Sequence, residues 1–206
     1  MGEILSLFAT PIVKVNINRE FTNDELRCLL TIPIMKDEKS GVPLHQSEDL
    51  HLFDNFSEDL KDIKKFCEHQ LEIYLEKIEG ITDKATLRIT KSWLNKMKPQ
   101  EFHHSHFHPN SYLSGVLYIK CLPNNHINFK NRSYGLYNNI EISDYRKNRR
   151  KKLTVWNSSG AIVNVKEGDL IIFPSWISHS VNVNETKDQD RISFSFNTIP
   201  RGEIYE

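Results

Sequence analysis

Gly80 divides this chain into two periodicities. Upstream, Leu60, Ile63, Phe66, Cys67, Leu71, Tyr74, Leu75 and Ile78 recur at three- and four-residue steps between Ser57 and about Glu79. That spacing predicts one long helix with a single buried face, and Gly80 is a fitting stop for it. Downstream the helical period never returns. Leu87–Met97, Leu113–Lys120, Ile127–Lys130, Leu153–Val165, Leu170–Phe173, Ser180–Asn184 and Arg191–Thr198 each read as strands. Turn-forming residues such as Pro99, Pro123-Asn124-Asn125, Ser158-Ser159-Gly160 and Glu167-Gly168-Asp169 separate them. Helices followed by seven or eight short strands point to an α+β chain whose β part is a sandwich or barrel.

The segment before the long helix carries weaker signals. Val13, Val15 and Ile17 alternate with Lys14 and Asn16, which predicts a first strand from Ser6 to Ile17. Thr22 with Glu25 three residues on is a capping box for a short helix. Lys36 to Leu50 is polar, contains Gly41 and Pro43, and reads as a loop. The insert from Asn131 to Lys152 has no clear period and ends in a basic run from Arg146 to Lys152. It reads as a solvated loop, with a substrate-facing lid as the alternative.

At 206 residues the chain is long enough for one domain with a substantial core. Lys+Arg and Asp+Glu are both 27, so no net field draws it to nucleic acid or to a membrane surface, although the basic run leaves a nucleic-acid substrate open. The three cysteines are widely spaced, which fits core thiols in a reducing compartment better than a disulfide framework. With no signal-peptide pattern and no long apolar stretch, the expected location is the cytoplasm. Nothing in the sequence excludes a homodimer.

Chemistry concentrates in two places. Four of the nine histidines fall within six residues, at His103, His104, His106 and His108. In an extended strand His104, His106 and His108 share one side, and two imidazoles at i and i+2 can reach one metal ion. Pro109 then ends the strand. Downstream, His179 follows the apolar run Leu170 to Phe173, and Arg191 opens the alternating segment Arg191-Ile192-Ser193-Phe194-Ser195-Phe196-Asn197. Ile192, Phe194 and Phe196 can pack under the long helix while Arg191, Ser193, Ser195 and Asn197 face the other way. An arginine on an inward face needs an anion, because an unpaired buried charge is costly, and its planar fork suits a carboxylate.

Four separated stretches carry a resemblance. They are Ser92-Trp93-Leu94-Asn95; His106-Phe107-His108-Pro109-Asn110-Ser111 with Leu113-Ser114-Gly115-Val116-Leu117-Tyr118; Gly168 to Ser175 with His179; and Arg191-Ile192-Ser193 with Phe196-Asn197-Thr198. In that order they resemble the 2-oxoglutarate- and Fe(II)-dependent oxygenases, in a branch related in plan to prolyl hydroxylases. The opening Leu7-Phe8-Ala9-Thr10-Pro11 is similar to that branch's start.

The resemblance implies a double-stranded β-helix (jelly roll) over about residues 85–199, with N-terminal helices from about 20–80 packed on its major sheet, all in one domain. It implies Fe(II) on His106, His108 and His179, and 2-oxoglutarate held by Arg191 with Ser193 beside it, Tyr118 opposite and Asn95 as a further contact. The implied activity is a dioxygenase that uses dioxygen to hydroxylate a C–H bond of a peptidyl, amino-acid or other small substrate, releasing succinate and CO2.

The pattern departs from the usual two histidines and one carboxylate, since no His-x-Asp or His-x-Glu exists here. Three histidines also suit zinc or manganese in a cupin-like barrel, and a non-catalytic binding module is a further alternative. His104 with His106 has the same spacing as His106 with His108, so His104 stands as the alternate ligand.

Overall fold

The computed structural model describes residues 9–36, 45–81, 85–122, 124–131 and 158–202. The basic run from Arg146 to Lys152, most of the insert around it, and the first part, Leu153 to Asn157, of the strand expected over Leu153–Val165 lie outside the described residues.

Eleven strands and three α-helices are described. In chain order they are β1 (Val13–Asn16), α1 (Asn23–Thr31), β2 (Ile34–Lys36), β3 (His45–Ser47), α2 (Leu52–Asn55), α3 (Lys61–Tyr74), β4 (Ala85–Met97), β5 (His103–His106), β6 (Leu113–Lys120), β7 (His126–Lys130), β8 (Gly160–Asn164), β9 (Asp169–Pro174), β10 (Ser178–Val181) and β11 (Arg191–Gly202). The strands form a seven-stranded sheet in the order β1-β9-β6-β11-β4-β3-β2 and a four-stranded sheet in the order β5-β10-β7-β8. All their pairings are antiparallel.

The local chemistry explains the elements. Thr22 accepts from the Glu25 amide while the Glu25 carboxylate accepts from the Thr22 amide, so the capping box closes and starts α1. Beyond Tyr74, α3 runs through a π-helical turn, Leu75–Glu79, and Gly80 ends it at φ 66°, a left-handed position that glycine takes without Cβ strain. In β11, Ile192, Phe194 and Phe196 turn to one face, where the Phe53 ring lies 4.6 Å from that of Phe194. They share one apolar cluster with Leu29 of α1, Leu52 of α2, and Ile63, Cys67 and Leu71 of α3. Each such side chain stabilises the fold by about 1.5–3 kcal/mol on full burial. A second cluster lies on the sheet's other side, where Val116, Tyr118, Ile171 and Phe173 meet Ile127 and Phe129 of the small sheet.

Three features differ from the sequence-based expectations. His45–Ser47, inside the stretch expected to be a loop from Lys36 to Leu50, is a strand, and with Ile34–Lys36, which meets that stretch only at Lys36, it extends the large sheet beyond β4. The pairing is non-local, so no short-range period betrays it. The β11 strand continues to Gly202 through Pro200. It pairs there with β4 alone, so the residue that lacks an N–H faces an open edge. The first strand spans only Val13–Asn16 within the described residues. No helix among them is long and apolar enough to cross a membrane.

Candidate metal and co-substrate site

The two sheets leave a cleft of roughly 520 Å³ between them, lined by Trp93, Asn95 and Met97 of β4, Tyr118 of β6, and Arg191, Ser193 and Ser195 of β11. From the small sheet come His103, His106 and His179, with His108 from the turn after β5. Every second residue of β11 faces inward, as the alternation from Arg191 to Ser195 requires.

His106, His108 and His179 each offer a ring nitrogen within 4.8 Å of the other two. Backbone pairing accounts for this convergence. His106 and His179 are direct cross-strand partners in the β5–β10 pair. His108 lies beyond the strand, and its amide donates to the Ser175 carbonyl at 2.9 Å. The ring of Phe173, 4.7 Å from that of His179, backs the group on its apolar side.

Each imidazole is oriented by a bond from its other nitrogen. His106 Nδ1 donates to the His104 carbonyl at 2.9 Å and His179 Nδ1 to the Ile177 carbonyl at 3.2 Å. His108 Nδ1 lies 2.8 Å from the Asn197 side-chain oxygen and 2.7 Å from Ser114 Oγ. With Nδ1–H engaged, the three Nε2 lone pairs are left for a cation. Burial, reinforced by the neighbouring imidazoles, pushes His108 down to about 4 and His179 down to about 3. Burial lowers His106 as well, against the opposing bond to the His104 carbonyl. The rings are therefore neutral near pH 7, the state in which imidazole binds metal.

The alternate ligand is not in the group. His104 is exposed, and only its carbonyl takes part. The expected alternation fails because the β5–β10 register shifts: His106 pairs with His179 and His103 with Val181, so three steps on β5 oppose two on β10. This bulge turns His103 into the cleft, its ring stacked 4.0 Å from that of His106. His103 was missed as a cleft residue because strand periodicity excludes it. The nearest carboxylate, Glu101, is engaged elsewhere, 2.9 Å from His45 Nδ1 and accepting from the Lys98 amide at 2.7 Å.

On the opposite wall, Arg191 is 3% exposed. Among the described residues it has no ion-pair partner, and its Nε has no acceptor. Its guanidinium carbon lies 5.0 Å from the centroid of the Tyr118 ring, and the buried Tyr118 hydroxyl, which the guanidinium faces, has no acceptor for its own proton among the described residues. A buried guanidinium Nε and a hydroxyl both short of an acceptor form a cradle for a carboxylate. Ser193 lies beside them, paired in register with Tyr118 and Asn95. The Asn95 amide already accepts from Trp93 Nε1 at 3.1 Å and donates to Ser195 Oγ at 2.9 Å, so it holds the indole against the cleft wall.

Comparison with known proteins gives a consistent result. Residues 91–197 match the family model described as "Putative 2OG-Fe(II) oxygenase". No curated protein matches the chain. Among solved structures, an oxidoreductase of the 2OG-Fe(II) oxygenase family from Burkholderia pseudomallei superposes with a TM-score of 0.59 at 11% identity, covering 91% of this chain and 84% of that one. The non-heme alpha ketoglutarate dependent epimerase SnoN gives 0.60 at 14% identity, over 92% and 78%. HygX from Streptomyces hygroscopicus, crystallised with nickel and 2-oxoglutarate, gives 0.50 at 12% identity, over 92% and 82%. At these identities the likeness shows the jelly-roll fold.

Proposed function

Because the chain belongs to the 2OG-Fe(II) oxygenase family, which its match over residues 91–197 shows, we propose that it hydroxylates a C–H bond with Fe(II) on His106, His108 and His179 and 2-oxoglutarate on Arg191. The whole described chain acts as one unit in this reading, with the helices as a layer on the outer face of the large sheet. Three free thiols, two of them buried, suit work in the cytoplasm.

The observation that carries the reading is a pair of deficits facing each other across one cleft. On one side three neutral imidazoles converge, with no ion pair to any of them among the described residues. On the other the buried Arg191 Nε and the Tyr118 hydroxyl lack acceptors among the described residues. A dication together with a dicarboxylic acid would satisfy both. Bound there, Fe(II) with 2-oxoglutarate and dioxygen would supply the oxidising chemistry, with succinate and CO2 as co-products.

The residues do the positioning. Arg191 grips the distal carboxylate, with Ser193 and Tyr118 Oη as further donors. The Asn95 amide sets the face of Trp93, whose ring lies 5.8 Å from that of His108. Trp93, Met97, Ile127 and Val181 line the remaining wall and exclude water from the reacting C–H bond. That apolar surface suits the aliphatic part of an amino-acid, peptidyl or other small substrate.

The test is anaerobic loading with Fe(II), followed by 2-oxoglutarate and air. Succinate should form in amounts proportional to bound iron, and Arg191→Met should abolish it at micromolar co-substrate. Tight stoichiometric zinc with no succinate under any condition would instead favour a three-histidine zinc site.

A further inference from the structure

We propose that Asn197 is a positioning residue that fixes the tautomer of His108, so that its Nε2 presents a lone pair to the metal position. This rests on the three-histidine reading above. His106 and His179 are oriented by main-chain carbonyls two residues before them, bonds that no side-chain substitution can remove. His108 differs, because both groups at its Nδ1 are side chains, Ser114 Oγ at 2.7 Å and Asn197 Oδ1 at 2.8 Å.

The two neighbours are not equivalent. A serine hydroxyl can donate to an imidazole nitrogen as readily as accept from one, so Ser114 alone leaves the tautomer undecided. An amide oxygen has only lone pairs, and at 2.8 Å it requires a proton on Nδ1. Ser114 Oγ also donates to that oxygen at 2.8 Å and shares a further contact of 2.8 Å with Ser175 Oγ. Ser175 donates to Ser111 at 2.8 Å, and Ser111 donates to the carbonyls of Leu113 and Thr198. The chain of hydroxyls ends on main-chain acceptors, which gives every proton a destination. Remove the Asn197 oxygen and Ser114 can turn its proton to Nδ1, which moves the N–H to Nε2 and blocks the ligand. The inward alternation of β11 that begins at Arg191 continues through Ser193 and Ser195 to Asn197, six residues or about 20 Å further along. One strand thus serves the co-substrate at one end and a metal ligand at the other.

The measurement is the imidazole 15N spectrum of the metal-free protein, paired with Co(II) titration of the same samples. His108 should be the Nδ1–H tautomer in the parent chain. In Asn197→Leu it should become a mixture or Nε2–H, with Co(II) affinity reduced about 10–100-fold. Asn197→Asp, which keeps an acceptor at Nδ1 and puts a negative charge in place of the NH2, should retain the tautomer and bind Co(II) at least as tightly as the parent. Should Asn197→Leu fail to fold, Asn197→Ala serves, and the parent spectrum decides by itself. An Nε2–H His108 in the parent, or full affinity in Asn197→Leu, overturns the proposal. His108→Ala separates the two levels: if it binds Co(II) as well as the parent, the three-histidine site itself fails. If only His108→Ala loses binding, the role of Asn197 alone falls.

Discussion

Replacing Arg191 by Met should stabilise the ligand-free protein while abolishing its response to 2-oxoglutarate. Arg191 is 3% exposed, without an ion-pair partner among the described residues and with Nε unsatisfied. Burial of an unpaired charge costs several kcal/mol after relaxation. The Tyr118 ring, 5.0 Å away, returns part of that, on the order of 0.5–2 kcal/mol for a desolvated cation–π contact. The balance is an apo-protein gain of about 1–3 kcal/mol in Arg191→Met, or about 2–10 °C in Tm for a chain of this size. In the parent, 2-oxoglutarate at about a hundred times its Kd should add about 2.7 kcal/mol when Co(II) occupies the metal position. Differential scanning calorimetry of both proteins, with and without Co(II) and 2-oxoglutarate, reads all four states. A less stable apo variant would mean that Arg191 has a structural partner. An undiminished 2-oxoglutarate shift in Arg191→Met would remove it from the co-substrate site.

Three other outcomes follow from the same geometry. His104→Ala should bind Co(II) like the parent, since only the main chain of that residue orients His106, while His106→Ala, His108→Ala and His179→Ala should each lose tight binding in a metal titration. The apo protein should weaken with acid: His179 titrates at about 3 when folded and near 6.5 when unfolded, so the unfolded chain binds the extra proton, and stability present above pH 6.5 is lost as pH falls towards 3. At pH 5 that one group costs about 2 kcal/mol, visible as a drop in the urea midpoint that a bound metal ion should offset; a midpoint unchanged between pH 7.5 and 5 contradicts it. Gly115→Ala should cost at least about 1–3 kcal/mol by overpacking, because a Cβ there would meet the Phe196 ring at 2.1 Å; Gly115→Ala with Phe196→Leu should recover part of the loss in urea melts.

What could be read from the chain before folding was whatever local periodicity encodes. The alternation from Arg191 to Asn197 placed four polar side chains on one face and three apolar ones against the helices, and the buried face of α3 emerged from its three- and four-residue spacing. The period switch at Gly80 marked where helix gives way to sheet. The histidine tract was harder, because strand alternation places His104 with His106 and sends His103 away. One register shift against β10 reverses both assignments. The bulge has no sequence signal, since it is set by pairing with a strand more than seventy residues downstream. Likewise β3 is defined by its partner on β4 and β2 by β3, and the bond from His108 to Asn197 spans 89 positions. Local pattern supplied the candidate residues; long-range pairing decided which of them meet.

The missing carboxylate has an electrostatic consequence that the surroundings reinforce. Glu101, two residues before the tract, is tied to His45 and the Lys98 amide and cannot act as an anionic ligand. Three neutral imidazoles therefore leave a bound dication at its full charge, and Arg191 adds a further unit across the same cleft. A site with one carboxylate ligand would lower that total by one and already be partly neutralised before any co-substrate arrived. Here a dicarboxylic acid is the first anion to enter, so metal and co-substrate should each strengthen the other's binding by the same factor. The low dielectric between the sheets makes that coupling larger than it would be in water. If the proposed ligand set and the Arg191 contact hold, a histidine at the carboxylate's position would not disable the centre: it would transfer the task of charge balance from the protein to the acid paired with Arg191.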